Sequence, residues 1–401
     1  MHPRNIVRGA SLDYENDRRR LLEFSRGRLN PNGPPFLMFH SSRCVASIDT
    51  AALRHNLNII RARIGPEPGI IAIVKADAYG HGVAGLIPVL ADQVAIFGVA
   101  NLQEAFEVRA ALPSAEVLLL GINLPEERPV VIQHDFQVVV SSIDEARAYG
   151  RLGSVAHPVR IHIAVDTGMG RMGFLESEIE DAVRIVVAMP SLKIAAVATH
   201  LPVADEDADF TRDQLKRYEA IVARIRHLLP ATAQSHTLNS AGLLGFPEHA
   251  PDFVRAGLAL YGSSPLPEFQ NDLLAVMTLV SRITLIRQLP PGHGVSYGRT
   301  FITDRPTRVA TVSAGYADGY QRRLSNRGAS VLIHGRRCPV LGRVTMDQIM
   351  VDISEIPDAA VGDEVILFGQ DLLAGELAEK ADTIVWEIFT GISKRVKRIY
   401  K

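Results

Sequence analysis

The chain has 401 residues, 47% of them apolar and 22% charged, so it can bury more than one ordinary core and is not globally disordered. Its 43 basic and 44 acidic residues leave a net charge of −1, which argues against sequence-independent nucleic-acid binding. The two cysteines, Cys44 and Cys338, are far apart; that excludes a disulfide scaffold and a CxxC zinc or redox site, and it fits the reducing cytoplasm.

No apolar run reaches the ~18 residues of a membrane span. The first 30 residues are arginine-rich but interrupted by Asp13, Glu15, Asp17 and Glu23, with no apolar core of a secretion signal. Asn30-Pro31-Asn32-Gly33-Pro34-Pro35 reads as a linker, so residues 1–41 are expected to be a loosely held extension. A strand is expected over 43–48. Asp49 or Thr50 then caps a helix whose apolar residues Leu53, Leu57, Ile60 and Ile64 recur at spacings of three and four.

Eight apolar runs follow: GIIAIVKA (69–76), AIFGVA (95–100), EVLLLG (116–121), FQVVVSS (136–142), RIHIAVDT (160–167), KIAAVATH (193–200), SHTLNS (235–240) and FVRAGLALYG (253–262). Helical periodicity fills most of the gaps, as in LQEAFEVRAAL and DQLKRYEAIVARIRHLL. The pattern predicts an α/β fold, a parallel (β/α)8 barrel over 42–270, whose first strand 43–48 is free to join a second domain. An open doubly wound sheet is the alternative, but no Gly-x-Gly-x-x-Gly follows an early strand.

Beyond residue 270 the pattern becomes alternating and short-stranded, from MTLVSRITLIRQL to DEVILFG. A tight turn is signalled at His334-Gly335 and a helical segment near 382–393. Residues 271–401 are therefore read as a mostly antiparallel β domain. On the barrel, Lys75, His200, Ser240 and Arg255 fall at or near the C-terminal ends of strands, the face where barrels place chemistry. A buried lysine there is a candidate nucleophile.

The surrounding segments resemble the alanine racemase family. AIVKADAYGHG (72–82) is similar to that family's pyridoxal-phosphate lysine motif. AVDTGMGRMGF, ATH, LNSAG, FVRAGLALYG, VSYGRTF, GYADGYQRR, GRVTMDQIMVD and GISKRVKRIY follow in family order, so the resemblance covers about residues 42–401. It implies interconversion of L- and D-alanine, with D-alanine supplied for peptidoglycan, through pyridoxal 5′-phosphate held by Lys75. It also implies two bases: Lys75 for the D-isomer and Tyr297 for the L-isomer. Free lysine and tyrosine both have pKa values near ~10, so each needs a neighbour to act near pH 7.

The resemblance further implies that His200 hydrogen-bonds the catalytic tyrosine and links it to Arg255, which lies beneath the cofactor ring. A buried ion pair with Asp252 is the structural alternative for Arg255. The cofactor phosphate is expected at Ser240, the amides of Gly257 and Leu258, and the Tyr79 hydroxyl. The substrate carboxylate is expected at Arg171 and the amide of Met346, with Tyr316 as a gate. No metal is implied. A homodimer with shared sites is expected, because Lys75 lies on the barrel and Tyr297 on the β domain.

Two positions depart from the family pattern. Ala164 stands where many relatives carry a carbamylated lysine, which leaves room for a chloride beside Arg171. Trp386 stands where a tyrosine usually touches the phosphate and narrows the pocket. A racemase for serine or another amino acid is thus an alternative. A pyridoxal-phosphate decarboxylase needs a different cysteine-aspartate segment, whereas Cys338 sits in Arg337-Cys338-Pro339. A non-catalytic cofactor carrier would resemble the barrel alone.

Overall fold

The computed structural model describes residues 43–401; the extension expected over 1–41 lies outside the described residues. The chain enters as strand β1 (Cys44–Ile48), which pairs antiparallel with Met277–Leu289 and parallel with the last strand, Lys397–Tyr400. Its first strand is therefore built into the C-terminal sheet. Asp49 then caps the helix Thr50–Ile64 by accepting from the Ala52 N–H at 2.9 Å. The apolar stripe Leu53, Leu57, Ile60 and Ile64 is buried.

Eight parallel strands close into a barrel: β2 (Gly69–Ile73), β3 (Ile96–Val99), β4 (Val117–Leu119), β5 (Gln137–Val140), β6 (Val159–Asp166), then, after a two-residue strand β7 (Phe174–Leu175) beside β6, β8 (Leu192–Ala198), β9 (Gln234–His236) and β10 (Phe253–Ala256). Pairing of β10 with β2 and of β5 with β6 completes the ring. These strands are nearly continuous apolar runs because both faces are covered, by the ring interior and by the outer helices. Each strand ends at one mouth, so the loops after them are brought together there.

The β domain is built around Met277–Leu289, which pairs with three strands, Cys44–Ile48, Thr307–Val312 and Glu364–Phe368, the pairing with Thr307–Val312 being interrupted by a bulge between Ile283 and Leu285. His334 and Gly335 both adopt positive φ, 49° and 72°, forming the two-residue turn between Ser330–Ile333 and Arg336–Leu341. Cys338 lies in that hairpin opposite Val331, and burial pushes its thiol up to about 11, so it is a packing residue. The helical segment expected near 382–393 contains the helix Val385–Thr390, and a further helix, Ala374–Ala381, precedes it. Asp382 turns left-handed, and Asp382 and Thr383 close back onto the Glu379 and Ala378 carbonyls, which ends the first helix. No helix among the described residues is long and apolar enough to cross a membrane.

Candidate active site at the barrel mouth

Lys75 stands two residues beyond the end of β2. The next four residues, Ala76, Asp77, Ala78 and Tyr79, all have φ between 52° and 55°, and Gly80 follows at 78°. A left-handed turn of non-glycine residues costs about 1–2 kcal/mol per residue. Internal bonds hold it: Ala78 N–H donates to Val74 O, Gly80 N–H to Ala76 O and Gly82 N–H to Asp77 O, each at 2.9 Å. From outside, Asp77 Oδ1 accepts from Val83 N–H and Arg398 Nε donates to Gly80 O. Gly80 itself passes so close to Phe389 that a Cβ would fall 2.2 Å from its carbonyl oxygen. Lys75 is open to solvent in the single chain, yet its pKa is lowered, first by the surrounding protein and then by the Arg171 cation, with Glu104 opposing.

Arg255, on β10, is buried among neutral acceptors. It donates to the carbonyls of Thr199 and Thr237 at 2.7 Å and of His236 at 3.0 Å. It also donates to Nδ1 of His236 and, at 3.1 Å, to Nδ1 of His200. The alternative ion pair with Asp252 is not made; that carboxylate accepts instead from Ser235 N–H and Oγ.

Because a guanidinium can only donate, these contacts fix the imidazoles. His236 accepts at Nδ1, carries its proton on Nε2 and donates to His162 Nδ1 at 2.8 Å. His162 then donates from Nε2 to Gln137 Oε1, also at 2.8 Å. Gln137 Nε2 donates on to Glu116. By the same logic His200 keeps its proton on Nε2, turned away from Arg255. Burial, and after it the nearby cations, holds His200 and His162 near 3 and His236 well below 6.5, so all three are neutral. Burial likewise lowers Arg255 to about 10.

Ser240 opens the helix Ser240–Gly245, and its Oγ accepts from the N–H groups of Gly257 (3.0 Å) and Ala259 (3.2 Å). The amides of Gly257 and Ala259 thus converge on one hydroxyl, with Leu258 between them. A Cβ on residue 257 would lie 2.9 Å from the Tyr79 hydroxyl, so glycine keeps this cradle open. Burial raises the Tyr79 phenol to about 12, against the hydrogen bond from Trp386. Lys75, Tyr79, His200, Ser240 and Arg255 share one cavity of about 530 Å³, and Gly257, Leu258 and Trp386 complete its wall.

Arg171 reaches the same cavity on a loop that Asp166 holds, its Oδ1 accepting from Gly168 and Gly170 N–H. Gly173 crosses the backbone of β6, where a Cβ would stand 2.7 Å from Asp166 N. Ala164 also lines the cavity, and among the described residues Arg171 has no carboxylate partner. Arg171 is exposed in the single chain.

Tyr297, Tyr316 and Met346 do not line this cavity. They stand on the β domain, 71%, 42% and 53% exposed. Tyr297 is held between Ser296, Gly298 and Arg299, all at positive φ. Tyr316 N–H donates to Thr345 O and Ala317 N–H to Met346 O, each at 3.0 Å, so the gate and the substrate-amide segments form one unit. Arg395 braces it, donating through Nε and Nη2 to Asp318 and through Nη2 to Asp347. That gives Asp347 a partner the sequence did not supply. Gln137, His162, His236, Asp318 and Arg395 were all missed in the sequence. His162 and His236 lie inside apolar strands, and a polar residue at such a position was the available signal.

A strand-end lysine, an open backbone cradle and a mouth flanked by a β domain define an enzyme of small molecules on the barrel-plus-β-domain plan. The alanine racemase N-terminal domain profile matches residues 48–265 and the C-terminal domain profile residues 276–400. The chain is 40% identical over 365 residues to an alanine racemase of Halothermothrix orenii, covering 89% of this chain and 96% of that one. It superposes on the biosynthetic alanine racemase of Pseudomonas aeruginosa with a TM-score of 0.83 at 34% identity, over 90% of this chain and 99% of the other. The Bartonella henselae alanine racemase with covalently bound pyridoxal phosphate gives 0.82 at 30% identity, over 90% and 100%. The chain belongs to the alanine racemase family and is an amino-acid racemase.

Proposed function

We propose that the protein interconverts L- and D-alanine, uses pyridoxal 5′-phosphate held on Lys75, and shares each active site between two chains. One observation carries this reading: Lys75 and the groups that would hold the cofactor line one cavity, while Tyr297 stands exposed on the β domain of the same chain. The residues fit the cofactor. The cradle at Ser240, Gly257 and Tyr79 suits a phosphate because its backbone is open where a Cβ would intrude. Arg255 is a cation among neutral acceptors, so a ring nitrogen beside it would stay unprotonated. When bound, the cofactor supplies an electron sink that lets the α-proton of an amino acid leave.

Lys75, its pKa already lowered, takes or returns that proton on the D side. Tyr297 of a second chain does so on the L side, with His200 Nε2–H free to steady its hydroxyl. Arg171 and the Met346 amide receive the carboxylate, and Tyr316 guards the entry. Chloride beside Ala164 would neutralise Arg171 in place of the absent lysine carbamate. The D-alanine is assigned to peptidoglycan synthesis in the cytoplasm.

Trp386 lines the wall beside Tyr79 and favours a small side chain. The test is a chiral assay across amino acids together with borohydride labelling. Catalytic efficiency should be greatest for alanine, lower for serine and far lower for lysine or arginine. The cofactor's visible absorbance should vanish on reduction, with the label on the Lys75 peptide. Lysine turned over as well as alanine would sink the substrate assignment, and a label elsewhere would sink the anchoring residue.

A further inference from the structure

Two barrel helices open with the same signature. Asn101-Leu102-Gln103-Glu104 and Ser142-Ile143-Asp144-Glu145 each set a capping residue three positions before a glutamate. In both, the cap accepts from the glutamate N–H, at 3.0 Å for Asn101 and 3.2 Å for Ser142. In both, one carboxylate oxygen reaches back to the residue before the cap: Glu104 Oε2 accepts from Ala100 N–H at 2.7 Å and Glu145 Oε2 from Ser141 N–H at 2.9 Å.

The second oxygens differ. Glu145 Oε1 is buried without a partner. Glu104 Oε1 accepts from Ala76 N–H at 2.8 Å. Ala76 is the first of the left-handed residues and is bonded directly to Lys75. The turn's own bonds occupy the N–H groups of Ala78, Gly80 and Gly82, so the Ala76 amide depends on Glu104. A single carboxylate thus ties the turn after β2 to the end of its neighbour β3.

We propose that Glu104 is a positioning residue for Lys75, clamping the left-handed turn so that the lysine amine stands where proton transfer requires it. The proposal rests on Lys75 being the cofactor-bearing base. The clamp matters because the turn is intrinsically unfavourable, and a displacement of about 1 Å at a reacting group can lower a rate by ~10²-fold. The negative charge of Glu104 also supports the lysine ammonium against burial and Arg171.

Glu145 supplies an internal control, because it makes the same cap without touching the turn. Glu104→Gln places an amide NH₂ against one of two N–H groups, and Glu104→Asp keeps the charge but is a methylene too short to span both. Hydrogen exchange of residues 74–82 is measured in the cofactor-free protein, and steady-state kinetics on alanine in the holoenzyme. Either Glu104 variant should raise exchange across the turn by about tenfold, the loss expected for one charged hydrogen bond. It should lower kcat by ~10- to 100-fold while KM moves far less. Glu145→Gln should leave turn exchange and kcat within about twofold, since substitutions away from such contacts have small effects.

Unchanged turn exchange in both Glu104 variants overturns the clamp. Equal losses of kcat in Glu104→Gln and Glu145→Gln would reduce Glu104 to an ordinary helix cap. A borohydride label away from Lys75 would remove the reading beneath the proposal, and the exchange data would separate that failure from failure of the clamp.

Discussion

The barrel mouth and the exposed face of the β domain carry the two halves of one proposed reaction in opposite physical settings. At the mouth, Arg255, His162 and His236 are buried and hydrogen-bonded to one another or to backbone carbonyls, with pKa values lowered first by burial, while His200 is half-buried beside Arg255. On the β domain, Tyr297, Tyr316 and Met346 are exposed and project from short turns with no group of the mouth beside them. The barrel half is pre-organised by its own fold. The β half is presented outward, and a second chain would bury it.

Substitutions should separate the halves most sharply. Lys75→Ala is expected to abolish both the visible cofactor band and racemisation, the latter by about 10³-fold or more. Tyr297→Phe should leave the band in place and lower racemisation by roughly 10²–10⁴-fold, the range of a lost general base. Loss of the band in Tyr297→Phe would mean that the β face holds the cofactor, erasing the contrast.

Acid stability should expose the barrel half alone. His81, His162 and His200 are held near 4, 3 and 3 in the fold, below the ordinary 6.5. As pH falls below about 6.5 the unfolded chain binds protons that the folded chain refuses. Their stabilisation is therefore full above that value and is lost as pH drops toward 4. Each histidine should remove on the order of 1–2 kcal/mol between pH 7.5 and pH 5, read from urea midpoints. His162→Gln should flatten that slope. An unchanged slope would mean that His162 takes up a proton in the fold.

The smallest expected effect concerns Arg171, the proposed seat of the substrate carboxylate. Replacing chloride by a bulky organic anion at matched ionic strength should raise KM for alanine several-fold with little change in kcat, since a positioning anion acts on binding. An identical KM down to trace chloride would leave another carboxylate as the partner of Arg171.

The strand rhythm and the change of grammar near residue 270 were legible because a buried parallel strand is a continuous apolar run while a half-exposed one alternates. The mouth residues were legible for the same reason: Lys75, His200 and Ser240 interrupt or end such runs. The left-handed turn was not. Ala76 to Tyr79 contain no glycine, and part of what braces their conformation comes from partners distant in sequence, Glu104 and Arg398. Nor could spacing reveal that Gln137, His162 and His236 join in a chain that ends on Arg255, since strand register alone aligns them. The signature Asn101-x-x-Glu104 was visible as a helix start, but the use of its spare oxygen was not.

The most direct test of a site divided between chains is complementation. Inactive Lys75→Ala and Tyr297→Phe proteins are refolded together, mixed dimers are verified by mass, and racemisation of alanine is measured. A site shared between chains gives each mixed dimer one intact and one doubly substituted site, so random mixing should restore about a quarter of wild-type activity. Mixed dimers that are present yet remain as inactive as their parents would contradict it.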